Sequence, residues 1–262
     1  MIKIIISPAK KMNFIDEYDG TLTQPVFMEE TQHIHSLLKE MPREGLKKLW
    51  RCSDKLTDQN YERLHTYSLT QNLTPALIAY EGIQYQYMAP HIFSDIQWNY
   101  VSEHLRILSG FYGILAPTDG VIPYRLEMQA KLKADGKNDL YQFWGSKIYS
   151  ELIQDSEIGN LQILNLASAE YSKAVLPHIS SPVSCTTCIF GEETGGKVKV
   201  KGTQAKMARG EMVRWMAEQD IKEITDIRKF DRLGYRFSKD ASTESNYIFL
   251  KTTEKNEENF PL

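Results

Sequence analysis

Apolar and polar positions along the chain alternate between two periods, and the shorter period comes first. Ile2 to Ile6 is a β-branched run carrying one lysine and closed by Ser7-Pro8, the pattern of a buried central strand. Similar short apolar runs predict strands at 75–80, 105–108, 161–166, 183–190, 197–201 and 247–250, with a further one at 235–237. Between them the spacing lengthens to three and four. Ile34, Leu37 and Leu38 mark a helix over 29–39, and Leu46, Leu49 and Trp50 mark one that Pro42 can start. A second helix follows from Asp58 with Tyr61, Leu64 and His65, and others are expected at 95–103 and 139–153. Thr203 is placed to cap a helix whose stripe is Ala205, Ala208, Met212 and Trp215. The fold class is therefore α/β, a mixed sheet with flanking helices. No GxGxxG or P-loop is present to make it a dinucleotide or nucleotide-triphosphate fold of the common kinds.

Composition narrows the classes. A chain of 262 residues with 42% hydrophobic content suits one domain over 1–262, and residues 254–262 read as a polar, frayed tail. The net charge of −3 excludes a uniformly basic nucleic-acid binder, so a surface for DNA must be a local patch. Three cysteines in a chain this long indicate a reducing, cytoplasmic setting. No apolar run is long enough for a membrane span.

Candidate chemistry sits at strand ends and in two basic stretches. Lys10 follows the first strand, where open α/β sheets place ligands. Arg125 and Glu127 stand two apart in PYRLEM, on one face if that segment is a strand, as a structural ion pair or as the wall of a polar cleft. Asn165, Ser168 and Tyr171 gather at a second strand-to-helix junction, where Ser168 and Glu170 serve equally well as helix-start residues. Residues 42–67 read as helix, connection of about five residues, helix, with Lys47, Lys48, Arg51 and Lys55 near the connection. That is the arrangement of a helix-hairpin-helix, which offers backbone N–H groups to consecutive phosphates, or of an ordinary helical hairpin. The connection Ser53 to Thr57 lacks the glycines that let phosphate approach closely. Residues 196–214 carry six Lys and Arg against Glu211 alone, with Lys206 and Arg209 off the apolar stripe beside Gly210, which permits close approach by a partner. His33 and His35, two apart on a helix, are expected on the surface. Cys185 and Cys188, three apart on a strand, point to opposite sides and lack a second pair for zinc, so no metal or other cofactor is expected.

A set of motifs runs through the whole chain in fixed order: SPAK ending at Lys10, SDKL from Ser53, HLR-x-LSG-x-YG from His104 and PYRLEM from Pro123. LYQFWG from Leu140, NLAS-x-EY from Asn165, AK-x-ARG from Ala205 and GY-x-F from Gly234 complete it. In these the chain resembles the YaaA family of bacterial peroxide-stress proteins. The resemblance implies that family's own α/β fold with a helix-hairpin-helix beside a basic cleft, and places His104 and Arg106 of HLR among the cleft candidates. It implies a cytoplasmic protein of the hydroperoxide response that holds double-stranded DNA by its phosphates with little sequence preference and is linked indirectly to limiting free iron. The alternative is an enzyme acting on nucleic acid or a nucleotide-like anion, with Lys10, Arg125 and Glu127 in the catalytic positions. Neither the residues nor the resemblance indicates an oligomeric state.

Overall fold

The computed structural model describes residues 1–15, 18, 20–154 and 161–252; the expected tail at 254–262 lies outside them. Eight strands form the main sheet: β1 (Ile2–Ile6), β2 (Leu105–Ser109), β3 (Gly113–Leu115), β4 (Gln162–Leu166), β5 (Ser184–Thr194), β6 (Lys197–Lys199), β7 (Tyr235–Phe237) and β8 (Asn246–Lys251). Their order is β7-β8-β5-β4-β1-β2-β3, with β6 folded back on the far end of β5. The five central strands are parallel, and β3, β6 and β7 run antiparallel to their neighbours.

The β-branched run explains the centre. Every residue of β1 is buried, as an interior parallel strand requires, and Ile4 and Ile6 stand level with Leu105 and Ile107 on one side and with Leu164 and Leu166 on the other. Lys3 is carried into this layer by donating to the Glu103 carbonyl at 2.9 Å. The chain leaves β1 towards β2 on one side and later returns to lay β4 and β5 on the other. The ends of β1 and β4 therefore form a point where strand order reverses, the place in open α/β sheets where loops diverge and leave a crevice.

The helices are α1 (Met28–Glu40), α2 (Arg43–Trp50), α3 (Asp54–Thr66), α4 (Ile83–Met88), α5 (Asp95–His104), α6 (Leu140–Trp144), α7 (Lys147–Gln154) and α8 (Gly202–Glu218), with shorter turns between. Helix α5 starts on a full capping box, Ser94 with Gln97. Helix α8 packs on α4, α5 and β5, and Ala205, Ala208, Met212 and Trp215, the stripe read from the sequence, are buried.

Several expectations need correction. Residues 75–80 are not a strand: Ala76–Ala79 is a helical turn between two-residue bridges, because a short apolar run does not by itself choose a period. The helix expected over 139–153 is two, broken where Gly145 takes φ 49°. Helix α8 begins at Gly202, with Lys201 rather than Thr203 in the cap position. Helix α3 begins at Asp54, so the connection from α2 is Arg51 to Ser53, with Arg51 itself in the left-handed region at φ 47°. His35 is buried, its Nε2 3.1 Å from the Leu64 carbonyl, where a surface position was expected.

Candidate functional site: a basic cavity at the strand ends

The crevice at the ends of β1 and β4 is stitched by serines. The Ser7 hydroxyl accepts from the Ser168 backbone N–H at 2.8 Å and donates to its hydroxyl at 3.1 Å, and Tyr85 donates to the Ser7 carbonyl at 2.9 Å. One wall comes from residues 123–128. This segment belongs to no strand. What holds it is Gly110 at the end of β2, where a Cβ would stand 2.6 Å from the Leu126 carbonyl oxygen. Tyr124 adds a second tie, its hydroxyl 2.6 Å from Ser109 Oγ and 2.7 Å from the Tyr80 hydroxyl.

On this wall Arg125 Nη2 donates to Glu127 Oε1 at 3.0 Å, and Lys10 Nζ reaches the same oxygen at 3.2 Å. Glu127 is only 8% exposed, so the carboxylate is flanked by two cations that offset its burial. The opposite wall is the contact of α8 with α4. Gly210 lies so close to the Gln84 carbonyl that a Cβ there would stand 2.9 Å from the carbonyl carbon and 3.0 Å from the Met88 nitrogen. The close approach read from this glycine is thus taken by the chain's own backbone. It brings Lys206 and Arg209 of α8 to the same crevice as Gln84 and Tyr85 of α4.

Together these walls enclose a cavity of about 400 Å³, within the range of ligand sites. Its lining sorts by exposure. Lys10 (66% exposed side chain), Lys11 (69%) and Lys206 form a rim, whereas Gln84 (6% exposed), Tyr85, Arg125, Glu127 and Tyr171 form a buried floor. Arg209 stands between the two, with an Nε buried and without a partner, and burial pushes its guanidinium below the ordinary value. Gln84 Nε2 and Arg125 Nε are likewise buried without partners.

Glu170 is the other carboxylate in reach. It accepts from the Gln129 backbone N–H at 3.3 Å, and burial, with Glu127 nearby, pushes its carboxyl above the usual range. Burial also raises the Tyr171 phenol. Among the described residues, no group of three or more His, Cys, Asp or Glu is placed to hold a metal ion.

Of the residues singled out from the sequence, Lys10, Arg125, Glu127, Ser168, Tyr171, Lys206 and Arg209 all line this cavity. The others do not. Buried His104 bonds the Ile2 carbonyl at 2.8 Å, and Arg106 donates to the Ser102 and Leu105 carbonyls; both lie at the opposite ends of β1 and β2. Asn165 shapes the β4 turn, its Oδ1 accepting from Ala167 N–H at 2.9 Å. Lys47 is paired with Asp54 at 2.7 Å, while Lys48, Arg51 and Lys55 are exposed on α2, its cap and α3. A void of about 10 Å³ lined by Trp50, Leu64 and Arg125 places the α2–α3 pair against the outer side of the Arg125 wall. Gln84 and Tyr85 were not legible as site residues, since nothing in a six-residue helix marks which polar side chain faces inward.

An α/β protein with a basic cavity at the carboxyl ends of its parallel strands is the class that fold and site define. The model of the family described as peroxide stress protein YaaA matches residues 2–241. Over 251 residues the chain is 53% identical to a UPF0246 protein of Pediococcus pentosaceus, covering 95% of this chain and 98% of that one. It is 48% identical to UPF0246 proteins of Desulfitobacterium hafniense and Lachnoclostridium phytofermentans, over 95% of this chain and 98% and 96% of theirs. The chain belongs to the YaaA family of peroxide stress proteins. No helix among the described residues is long and apolar enough to cross a membrane.

Proposed function

We propose that this peroxide-stress protein acts in the cytoplasm by holding DNA through its backbone phosphates at the rim of the basic cavity. The observation that carries this reading is convergence. In a chain of net charge −3, Lys10, Arg125, Lys206 and Arg209 arrive from three distant segments at one crevice. Lys206, exposed and in no ion pair among the described residues, is free to follow a phosphate backbone, and such contacts fix position without reading bases. The α2–α3 pair, with exposed Lys48, Arg51 and Lys55 and adjoining the Arg125 wall, supplies a second line of phosphate contacts in the manner of a helix-hairpin-helix. Any effect on free iron is then exerted through the nucleic acid held.

The test is fluorescence anisotropy with duplexes of equal length and shuffled sequence. Affinities within a few-fold of one another support the reading, and a strong preference for one sequence contradicts it.

A second reading, an enzyme on nucleic acid or a nucleotide-like anion, is favoured by the unlike surroundings of two carboxylates in one cavity. Glu127 sits between two cations, whereas burial raises the Glu170 carboxyl, which suits Glu170 to the role of a general acid. Loss of turnover without loss of affinity in Glu170→Gln supports it.

A further inference from the structure

We propose that the floor of the cavity is a phosphomonoester subsite, which takes the terminal phosphate of a single nucleotide rather than the internal diester of a duplex. This goes beyond phosphate-backbone contacts at the rim and does not depend on them.

Size is the first ground. A space of 400 Å³ corresponds to a sphere about 9 Å across, within the range of small-ligand pockets and narrower than a duplex, which is wider than its own roughly 12 Å major groove. A double helix can rest on the rim and cannot reach the floor.

Unmet hydrogen bonding is the second. Three buried donors, Arg125 Nε, Arg209 Nε and Gln84 Nε2, have no partner, and all three residues line this one cavity. An unpartnered buried donor costs free energy that a ligand acceptor returns. Two arginines and an amide side chain lining one space suit a group with several acceptor oxygens.

Charge is the third. The cavity is lined by five cations (Lys10, Lys11, Arg125, Lys206 and Arg209) and three carboxylates (Glu81, Glu127 and Glu170), an excess of two positive charges. Lys11 is taken up by Glu81 at 2.6 Å, and Glu127 is shared by Lys10 and Arg125. Lys206 and Arg209 form no ion pair among the described residues, so the excess is concentrated on α8. A phosphomonoester, with about −1.5 to −2 charges near neutral pH, matches it, and a diester, with one, does not.

Shape is the fourth. Tyr85, Tyr124 and Tyr171 also line the cavity and give a sugar or base an aromatic wall beside the phosphate.

The test uses the full chain in calorimetric titrations with thymidine 5′-monophosphate, its 5′-methyl phosphodiester, thymidine and inorganic phosphate. The monoester should bind about tenfold or more tightly than the methyl diester, the difference expected for one charge-assisted hydrogen bond. Thymidine alone should not bind. Two further probes, short single strands bearing a 5′-phosphate or a 5′-hydroxyl, separate a free mononucleotide from a nucleic-acid end as the source. Preference for the phosphorylated strand over thymidine monophosphate assigns the subsite to strand ends; the reverse assigns it to free nucleotides.

Arg209→Met should abolish monoester binding while raising the melting temperature, because it removes a buried charge without a counter-ion; a structural arginine would lower stability instead. Gln84→Leu should weaken binding in the same direction and keeps the test open if Arg209→Met does not fold. Equal affinity for monoester and methyl diester overturns the proposal, as does wild-type affinity in a folded Gln84→Leu. Neither result touches duplex binding, which is measured with 5′-hydroxyl blunt ends and depends on the rim lysines.

Discussion

Gly210→Ala is the sharpest structural perturbation of the site. The added Cβ would fall within contact distance of the Gln84 carbonyl oxygen, 2.9 Å from its carbon and 3.0 Å from the Met88 nitrogen. All three are backbone atoms of α4, so no flexible side chain can swing away; α4 and α8 must separate. Overpacking of this kind costs about 1–3 kcal/mol. Replacing a helical glycine returns up to about 1 kcal/mol through backbone entropy. Because the clash is with backbone, the upper part of the overpacking range applies, about 2–3 kcal/mol, and the balance is a loss of about 1–2 kcal/mol, or a fall of roughly 2–8 °C in melting temperature for a chain of this size. Gly202→Ala is the control, because nothing lies within 4 Å of a Cβ there and it opens the same helix. Thermal unfolding followed by circular dichroism decides the matter, with thymidine 5′-monophosphate affinity measured on the same samples. Affinity should fall with stability, since Gln84 and Arg209 are set by this contact. A Gly210→Ala protein as stable as Gly202→Ala would refute the close packing of α4 on α8 and the cavity wall built on it.

Two other expectations concern protonation and thiols. His35 and His104 are both lowered from the ordinary 6.5, chiefly by burial, so the folded chain refuses protons that the unfolded chain accepts. Stability contributed by the neutral rings is therefore whole above about pH 6.5 and lost as pH falls towards the folded values; urea midpoints should decline over that window and decline less in His35→Gln/His104→Gln. Burial pushes the Cys185 thiol up to about 12 and Cys188 is fully buried, so both should resist maleimide or hydrogen peroxide in the native state and react once unfolded, as read by mass spectrometry. Rapid native oxidation of Cys188 would contradict its placement.

The sequence was legible where one local force dominates. Consecutive β-branched residues mark β1, and a short apolar run marks β4, as interior strands, and the apolar stripe of α8 is buried as its spacing implies. It failed where length or context decides: Ala76–Ala79 is too short for periodicity, and α6 and α7 are divided by a glycine conformation. The pairing of Arg125 with Glu127 was readable from their spacing, although Gly110 and Tyr124, rather than a sheet, hold the segment. The meeting of Lys10 with that pair, and of α8 with both, depends on strand order, which no local pattern contains. The inward-facing Gln84 is a consequence of Gly210, and that glycine alone pointed outward as readily as inward.

Phosphate binding by the cavity rim, the central claim, is tested most directly by the salt dependence of duplex affinity. Lys206 is exposed, lines the cavity and belongs to no ion pair among the described residues, so Lys206→Ala leaves the fold intact. Lys229, paired with Asp226 at 2.7 Å and outside the cavity, serves as the control site. In Lys206→Ala one fewer phosphate is neutralised, so the slope of log affinity against log salt should become shallower by about 0.9. In Lys229→Ala the slope should stay at its wild-type value. Identical slopes in the wild type and Lys206→Ala would contradict phosphate binding at the rim.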